Sequence, residues 1–203
     1  NSVKKFEDFP EYLQLWPGHG AGSACGKALG AVPESTVGYE QRFNNSIKAA
    51  ITEQDFVDFI LEGQPEPPLY FARMKRDNKL GPKVLGKLPT PSKLTIQQVV
   101  DASASDNAVV VDARLDREEF MRAHLEGSIY APLNKSFNTV VGSFVSDEED
   151  IYLIIDDECV NEAVVDLVRI GLDNVKGFVH PEELDDYQKA GGKVVSIDSI
   201  NFE

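Results

Sequence analysis

The sequence predicts an α/β fold in which helices cover both faces of a parallel sheet, preceded by a smaller unit with one strand and several helices. In the second half, wholly apolar runs such as residues 151–155 alternate with amphipathic helical patterns, as buried parallel strands do. Charge also separates the halves. Residues 1–90 carry 11 basic and 11 acidic side chains, whereas residues 91–203 carry 9 and 23 and account for the whole net charge of −14. Such different balances indicate two structural units.

Prolines and glycines mark the boundary between these units. The stretch 80–93 contains three prolines and two glycines, which exclude a regular helix and favour a linker or an edge segment. We therefore expect one unit over residues 1–85, a linker over 86–93 and a second unit over 94–203.

A single strand, residues 13–16, is all the β structure predicted for the first unit. One strand cannot form a sheet, because its row of backbone groups would stay unpaired. Two alternatives remain open. The strand pairs with another chain, as in a homo-oligomer, or with strands that precede this sequence in a longer protein.

Helical patterns fill the rest of the first unit. The second of its three predicted helices begins with an acidic capping box, since Thr52 at the N-cap is followed three residues later by Asp55. A proline-rich turn separates it from the third. The predicted helices run from Ser35 or Thr36 to about Ala50, from Thr52 to Leu61, and around residues 70–79.

The second unit has a regular strand–helix rhythm. Thr95 caps its first helix, Gly171 ends a long one as a C′ residue, and Pro181 opens the last, which ends near Ala190. The predicted strands cover residues 108–113, 128–131, 151–155, 175–179 and 194–197. The predicted helices before the last one cover residues 96–101, 116–124 and 158–170.

Composition excludes several functional classes. No apolar run approaches the ~20 residues that cross a bilayer, and no secretory signal is evident, so a cytoplasmic location is expected. The acidic second unit would repel nucleic acid and anionic membranes, and neither is an expected partner. Cys25 and Cys159 lie far apart and form no C-x-x-C pair, so both are expected to be reduced thiols.

A glycine-rich turn follows the strand at residues 13–16. Residues 17–26 read Pro-Gly-His-Gly-Ala-Gly-Ser-Ala-Cys-Gly, a run without long aliphatic side chains that lets the backbone approach a partner closely. His19 is the metal-capable and proton-transferring group of this turn. The pattern suggests one part of a metal site whose other parts are missing; the alternatives are a structural turn histidine and, for Cys25, a small residue that fits a tight loop.

This turn and the segments after it resemble a known family. Residues 16–23 resemble the closing strand and loop of a metallo-β-lactamase-fold domain, and residues 35–40 and 64–75 are similar to one branch of that superfamily. The branch is the bacterial persulfide dioxygenase–rhodanese fusion proteins, related to hydroxyacylglutathione hydrolases. The resemblance implies that residues 1–85 are the C-terminal part of a metallo-β-lactamase (αββα) domain.

The second unit matches the order of domains in those fusions. Val110-Val111-Asp112-Ala113-Arg114, then Glu118-Glu119-Phe120, then residues 124–129 resemble the rhodanese pattern of strand, helix and G-H-I-x-G-A motif. The resemblance thus covers essentially the whole chain and implies a rhodanese-like domain over residues 94–203.

The metal motif of the superfamily is absent from this sequence. Its His-x-His-x-Asp-His run has no match here, and of the family's metal-site residues only the last histidine is present, as His19. A catalytic metal needs about three protein ligands. We therefore expect no cofactor in this chain alone, and iron or zinc in an intact parent protein, where His19 would be a ligand or belong to the outer shell.

The rhodanese nucleophile is missing as well. An active rhodanese carries a cysteine at the first position of a loop between strand and helix, where backbone amides stabilise its thiolate. Here Asp156 and Asp157 stand at that place. Cys159 comes about three residues late, where the helix dipole would lower its pKa and the neighbouring carboxylates would raise it. Cys159 is a candidate sulfur carrier, with a half-buried structural thiol as the alternative.

The other candidate residues have simpler structural explanations. His124 is expected to support a turn, His180 to lie at a helix entry, and Asp112 and Arg114 to pair or cap locally. Basic residues of the third helix could bind a glutathione carboxylate, although a solvated helix face is the simpler explanation. These residues are Arg73, Lys75, Arg76 and Lys79.

The sequence therefore predicts part of a metalloenzyme joined to a rhodanese-homology domain without catalysis. By resemblance, the parent would be a non-haem iron dioxygenase that oxidises a small persulfide such as glutathione persulfide. Two alternatives remain open: a zinc-dependent thioester hydrolase of the hydroxyacylglutathione type on the same fold, and a rhodanese-like binding module.

Overall fold

The computed structural model describes residues 2–18, 34–63 and 66–198. It divides the chain into two compact units, Asn1–Glu66 and Pro67–Glu203. The division therefore lies before the third helix of the sequence analysis and not at the expected linker over 86–93. His19, Cys25 and the turn residues Gln64 and Pro65 lie outside the described residues.

The first unit contains a two-stranded antiparallel sheet and four helices in its described part. Strand β1 pairs with β2, with Gln14 opposite Thr36 and Leu15 opposite Ser35. The expectation that the strand at residues 13–16 has no partner in this chain is thus wrong. The elements are α1 (Ser2–Glu7), β1 (Gln14–Leu15), β2 (Ser35–Thr36), α2 (Val37–Phe43), α3 (Asn45–Ala49) and α4 (Glu53–Leu61).

Thr36 explains why the sequence pattern does not predict the second strand. Its backbone is extended, with φ −122° and ψ 156°, while its side chain accepts a hydrogen bond from the Tyr39 amide and caps α2. An N-cap residue has strand-like backbone angles, so one residue can end a strand and begin a helix. The amide of Val37 then donates to the carbonyl of Leu13 at 2.9 Å, which carries the pairing into the first helical turn.

The predicted helix over residues 35–50 is interrupted at Asn44. The backbone of Asn44 leaves the helical region, at φ −72° and ψ 117°, and its side chain accepts from the Ser46 amide to cap α3. The capping box predicted at the start of α4 is confirmed, because Thr52 and Asp55 each accept a hydrogen bond from the other's backbone amide.

A five-stranded, wholly parallel sheet forms the centre of the second unit, with strand order β3-β7-β6-β4-β5. Four of its strands match the predictions in place. The first, β3, is an edge strand within the proline-rich stretch. The strands are β3 (Ser92–Lys93), β4 (Ala108–Asp112), β5 (Ile129–Tyr130), β6 (Asp150–Ile154) and β7 (Val175–Val179).

Helices cover both faces of this sheet, as predicted. Each face of the sheet packs against its own hydrophobic core. Alternate residues of β6 point into the two cores: Ile151 and Leu153 into the first, and Tyr152 and Ile154 into the second. The helices are α5 (Leu69–Leu80), α6 (Ile96–Ser103), α7 (Arg117–Arg122), α8 (Phe137–Phe144), α9 (Val160–Arg169) and α10 (Glu182–Lys189), with a 3₁₀ turn (Asp157–Cys159) before α9. Side chains of α5, α8 and α9 build the first core, and those of α6 and α10 build the second.

Three further elements differ from the sequence predictions. Helices α1 and α8 are additional to the predicted ones, and the strand predicted at residues 194–197 is a single antiparallel bridge between Val195 and His124. Its short apolar run therefore covers one end of α7 without entering the sheet. Among the described residues, no helix has both the length and the apolar character needed to cross a membrane.

Candidate functional site

The connection between β6 and α9 stands where the resemblance would place a catalytic cysteine. It is very short. The Ile155 amide still donates to the Val179 carbonyl of the neighbouring strand at 3.0 Å, and by Cys159 the amide already donates back to the Asp156 carbonyl at 2.9 Å. The chain thus turns from sheet to helix within a few residues, which leaves no wide loop of converging amides to hold a persulfide.

Cys159 is the last residue of the 3₁₀ turn and the N-cap of α9. Its side chain is half-buried and packs against the first core. Burial raises the pKa of the Cys159 thiol, and the carboxylates of Asp156, Glu158 and Glu162 raise this pKa further. Of the opposing effects considered in the sequence analysis, those that favour the neutral thiol prevail. A protonated, packed thiol is a poor nucleophile.

Both aspartates of this connection have partners at the carboxyl ends of other strands. Asp157 accepts from the Lys93 ammonium at 2.6 Å, and Asp156 lies 3.4 Å from Nε2 of His180. Parallel strands bring their carboxyl ends to one edge of the sheet, which places these residues at the ends of β3, β6 and β7 together. His180 also accepts from the Glu182 amide at its Nδ1, at 3.3 Å, in agreement with a role at the helix entry.

A buried ion pair stands at the end of β4. Asp112 is fully buried, and the Arg114 guanidinium contacts both of its carboxylate oxygens, with Nη2 2.7 Å from Oδ2 and Nε 3.0 Å from Oδ1. Nη2 of Arg114 also donates to the Ala123 carbonyl at 2.8 Å. The local pairing expected for these two residues is confirmed, and it ties β4 to the end of α7.

His124 has a structural environment. Its ring is buried and stacks on Phe120 at 4.0 Å between centroids, and its Nδ1 donates to the Phe120 carbonyl at 2.8 Å. Its backbone forms the bridge to Val195. Since one ring nitrogen is engaged and the ring is enclosed, His124 supports the turn after α7, as expected.

The basic residues of α5 do not form one cationic patch. Arg73 is buried and donates from Nε and Nη2 to the Ile170 carbonyl, at 3.0 and 2.8 Å. Arg76 donates to Asp77 at 2.8 Å and to Asp147 at 3.1 Å. Lys75 and Lys79 are exposed. Arg73 and Arg76 therefore bind α5 to the rest of the second unit. For this reason the unit begins at Pro67, before the helix, and not after it.

Sequence reasoning missed Lys93 and Asp147. Lys93 pairs with Asp157, 64 residues away, and Asp147 pairs with Arg76, 71 residues away. No local periodicity or short motif points to such pairs. Within the described ranges, no three histidine, cysteine, aspartate or glutamate side chains gather in a way that could hold a metal ion.

The chain resembles a solved structure of a metallo-β-lactamase from Staphylococcus aureus, with 37% sequence identity and a TM-score of 0.65. The match covers 89% of this chain and 48% of that chain, so the chain spans about half the length of this relative. Residues 67–203 make up about two thirds of the sequence, so a match of this extent reaches into both units.

Rhodanese-like structures are also similar, at a lower level. A rhodanese-like domain from Anabaena is 21% identical with a TM-score of 0.37, covering 47% of this chain and 98% of that chain. A protein from Bacillus halodurans is 18% identical with a TM-score of 0.43, covering 66% and 93%. At these TM-scores neither likeness bears on function. No protein-family model matches the chain, and no curated protein does.

Proposed function

We propose that this chain is part of a metallo-β-lactamase-fold metalloenzyme whose rhodanese-homology domain does not transfer sulfur. One observation carries the second half of this proposal: the β6–α9 connection is too short to cradle a persulfide, and its aspartates are paired with Lys93 and His180. Identity of 37% to a metallo-β-lactamase supports the first half. The domain then serves as an acidic scaffold for a metal site elsewhere in the protein.

The reaction proposed for the whole protein is the oxidation of a small persulfide, such as glutathione persulfide, in sulfide and persulfide metabolism of the cytoplasm. Non-haem iron would activate dioxygen and orient the terminal sulfur. One persulfide, one dioxygen and one water give one thiol, one sulfite and two protons. The support is the motif resemblance at residues 16–23, 35–40 and 64–75. His19 would lie in or beside that metal site.

A first experiment separates this reaction from thioester hydrolysis. The full-length protein from its source is loaded with Fe²⁺ or Zn²⁺ and given glutathione persulfide or S-lactoylglutathione. Dioxygen uptake with sulfite formation in the iron form, and a large loss in His19→Ala, support the proposal. Thioester cleavage in the zinc form without dioxygen uptake overturns it in favour of the hydrolase.

A second experiment tests the absence of sulfur transfer. The chain is incubated with thiosulfate and its intact mass is measured, with cyanide then offered as the sulfur acceptor. We expect no gain of a sulfur atom and no thiocyanate, as for Cys159→Ser. A persulfide on wild-type protein that is absent from Cys159→Ser would make Cys159 a working sulfur carrier. If neither reaction of the first experiment occurs and this test is also negative, the binding-module alternative takes precedence.

A further inference from the structure

The first unit has almost no hydrophobic core of its own. Among its described residues only Val37 and Gly38 are buried, and every other buried hydrophobic side chain in the described part of the chain belongs to the second unit. Helices α3 and α4 contain no buried residue. A folded unit of this size normally removes about 60% of its chain surface from water, which requires a core. The first unit therefore needs apolar surface from outside itself.

Helix α4 has an apolar face that is incompletely covered. Phe56, Val57, Ile60 and Leu61 recur at the spacing that places side chains along one side of a helix. Phe56 and Ile60 are half-buried, whereas the side chain of Val57 is 38% exposed and that of Leu61 is 64% exposed. A helix with such a face is stable in a folded domain when the face packs against another element. The α4 face is therefore a packing surface whose partner is incomplete.

Helix α2 carries a second apolar surface, a pair of aromatic rings. Tyr39 and Phe43 lie one helical turn apart, with 4.9 Å between their ring centroids, and are 53% and 58% exposed. The Thr36 cap fixes the first turn of α2, so the pair is held in place before any partner binds. Aromatic side chains dominate the energetics of cores and interfaces, because each can remove about 150–250 Å² from water. An exposed pair of this kind is a ready anchor for an apolar partner.

The similar metallo-β-lactamase from Staphylococcus aureus indicates the kind of partner that fits these surfaces. The match covers 89% of this chain but 48% of that chain, so about half of that relative has no counterpart in these 203 residues. Since the first unit is about a third of the sequence, most of it lies within the matched part. The relative thus combines an equivalent of the first unit with a long further stretch of chain. Such a stretch can supply the apolar side chains that the first unit lacks.

We propose that the aromatic pair of α2 and the apolar face of α4 pack against the part of a metallo-β-lactamase-fold domain that this chain lacks. This inference rests on the first half of the proposed function and adds the surfaces through which the two parts join. The partner is an apolar segment of the same protein, because the exposed side chains of both surfaces are aliphatic or aromatic. The first unit is then stable only when that segment is present, whereas residues 67–203 contain two cores of their own.

Hydrogen–deuterium exchange tests this packing by comparing the present chain with the full-length protein from its source. Peptide mass spectrometry reads out the exchange. We expect the amides of α2 and α4 to exchange at least about a hundredfold more slowly in the full-length protein, because opening either helix would then expose a packed apolar face. The amides of β6 and α9 are the internal control. They should exchange at similar rates in both proteins, since their core lies within the second unit.

A double variant of the α4 face and a matched control make the test specific. Val57→Asp with Leu61→Asp should leave the urea unfolding midpoint of the present chain unchanged, because both positions are exposed there. In the full-length protein the same variant should abolish most of the hundredfold protection of α4, since an unpaired charge is costly to bury. Val84→Asp with Leu115→Asp changes the same residue types at positions of the second unit that are 92% and 71% exposed. This control should leave the exchange of α4 unchanged in both proteins.

Two results would overturn the proposal. The first is equal exchange of α4 in the two proteins, or full protection of α4 in the full-length double variant. The second is protection that appears in the present chain as its concentration rises, together with a dimer in sedimentation, because a second copy would then cover the face. The proposed reaction is judged separately. A protected α4 in a full-length protein with neither dioxygen uptake nor thioester cleavage supports the packing and removes the function, whereas activity with an unprotected α4 does the reverse.

Discussion

Replacing Arg114 by methionine removes the cation that faces the fully buried Asp112 carboxylate. The variant loses three close nitrogen–oxygen contacts to that carboxylate, at 2.7, 3.0 and 3.1 Å, and the hydrogen bond to the Ala123 carbonyl at 2.8 Å. Asp112 would keep only the Arg114 backbone amide, at 3.2 Å. Methionine has a similar length, so the change removes charge and donors with little loss of volume.

The expected cost follows from this geometry. A buried carboxylate deprived of its partner destabilises a protein by roughly 3–5 kcal/mol, because the charge has been removed from water without compensation. With a urea m value of about 2 kcal/mol/M, the unfolding midpoint should fall by about 1.5–2.5 M. Far-UV circular dichroism against urea measures this midpoint.

Two comparisons make the prediction specific. Lys189→Met breaks an exposed pair with Asp186 and should change the free energy of unfolding by less than about 1 kcal/mol. Asp112→Asn combined with Arg114→Met removes the unpaired charge and should recover part of the lost stability. An Arg114→Met variant that unfolds at the wild-type midpoint would contradict this role of the pair. So would additive effects, that is, a double variant whose loss of stability equals the sum of the losses measured for Arg114→Met and Asp112→Asn alone.

Three other outcomes can be measured on the same chain. Gly142→Ala places a Cβ 2.6 Å from the Tyr70 ring and should destabilise by about 1–3 kcal/mol in urea unfolding, while Ser143→Ala on the same helix should not. Thr95→Ala removes the hydroxyl that caps α6 and should cost about 1 kcal/mol by the same assay; an unchanged midpoint would contradict the cap. Alkylation of Cys159 by iodoacetamide can be followed by peptide mass spectrometry. Its rate should rise at a higher pH than the alkylation rate of a free cysteine does, because burial and nearby carboxylates favour the neutral thiol. Neutralising one carboxylate in Asp156→Asn should move that profile to lower pH, and an unmoved profile would show that this charge does not act on the thiol.

Patterns that act over a few residues were predictable from the sequence. Apolar runs such as residues 151–155 indicated the central strands, because a parallel sheet buries both faces and needs no alternation. Thr52 with Asp55, Thr95 and Gly171 indicated helix ends through chemistry confined to one turn. Through the resemblance to rhodanese-like domains, the aspartates that follow the strand at residues 151–155 likewise indicate that a nucleophilic cysteine is missing from its place.

Pairings between distant residues required the tertiary structure. Ser35 and Thr36 form a strand only because Gln14 and Leu15 lie beside them, and their own side chains favour a helix start equally well. Helix α5 belongs to the second unit because Arg73 reaches a carbonyl 97 residues later. Hydrophobic periodicity and capping describe a segment's own preference, whereas the free energy of a long-range contact depends on which groups the fold brings within hydrogen-bonding distance. The fold class and the helix caps therefore follow from local patterns, whereas the unit boundary, the second strand and the long-range ion pairs follow from contacts that exist only in the folded chain.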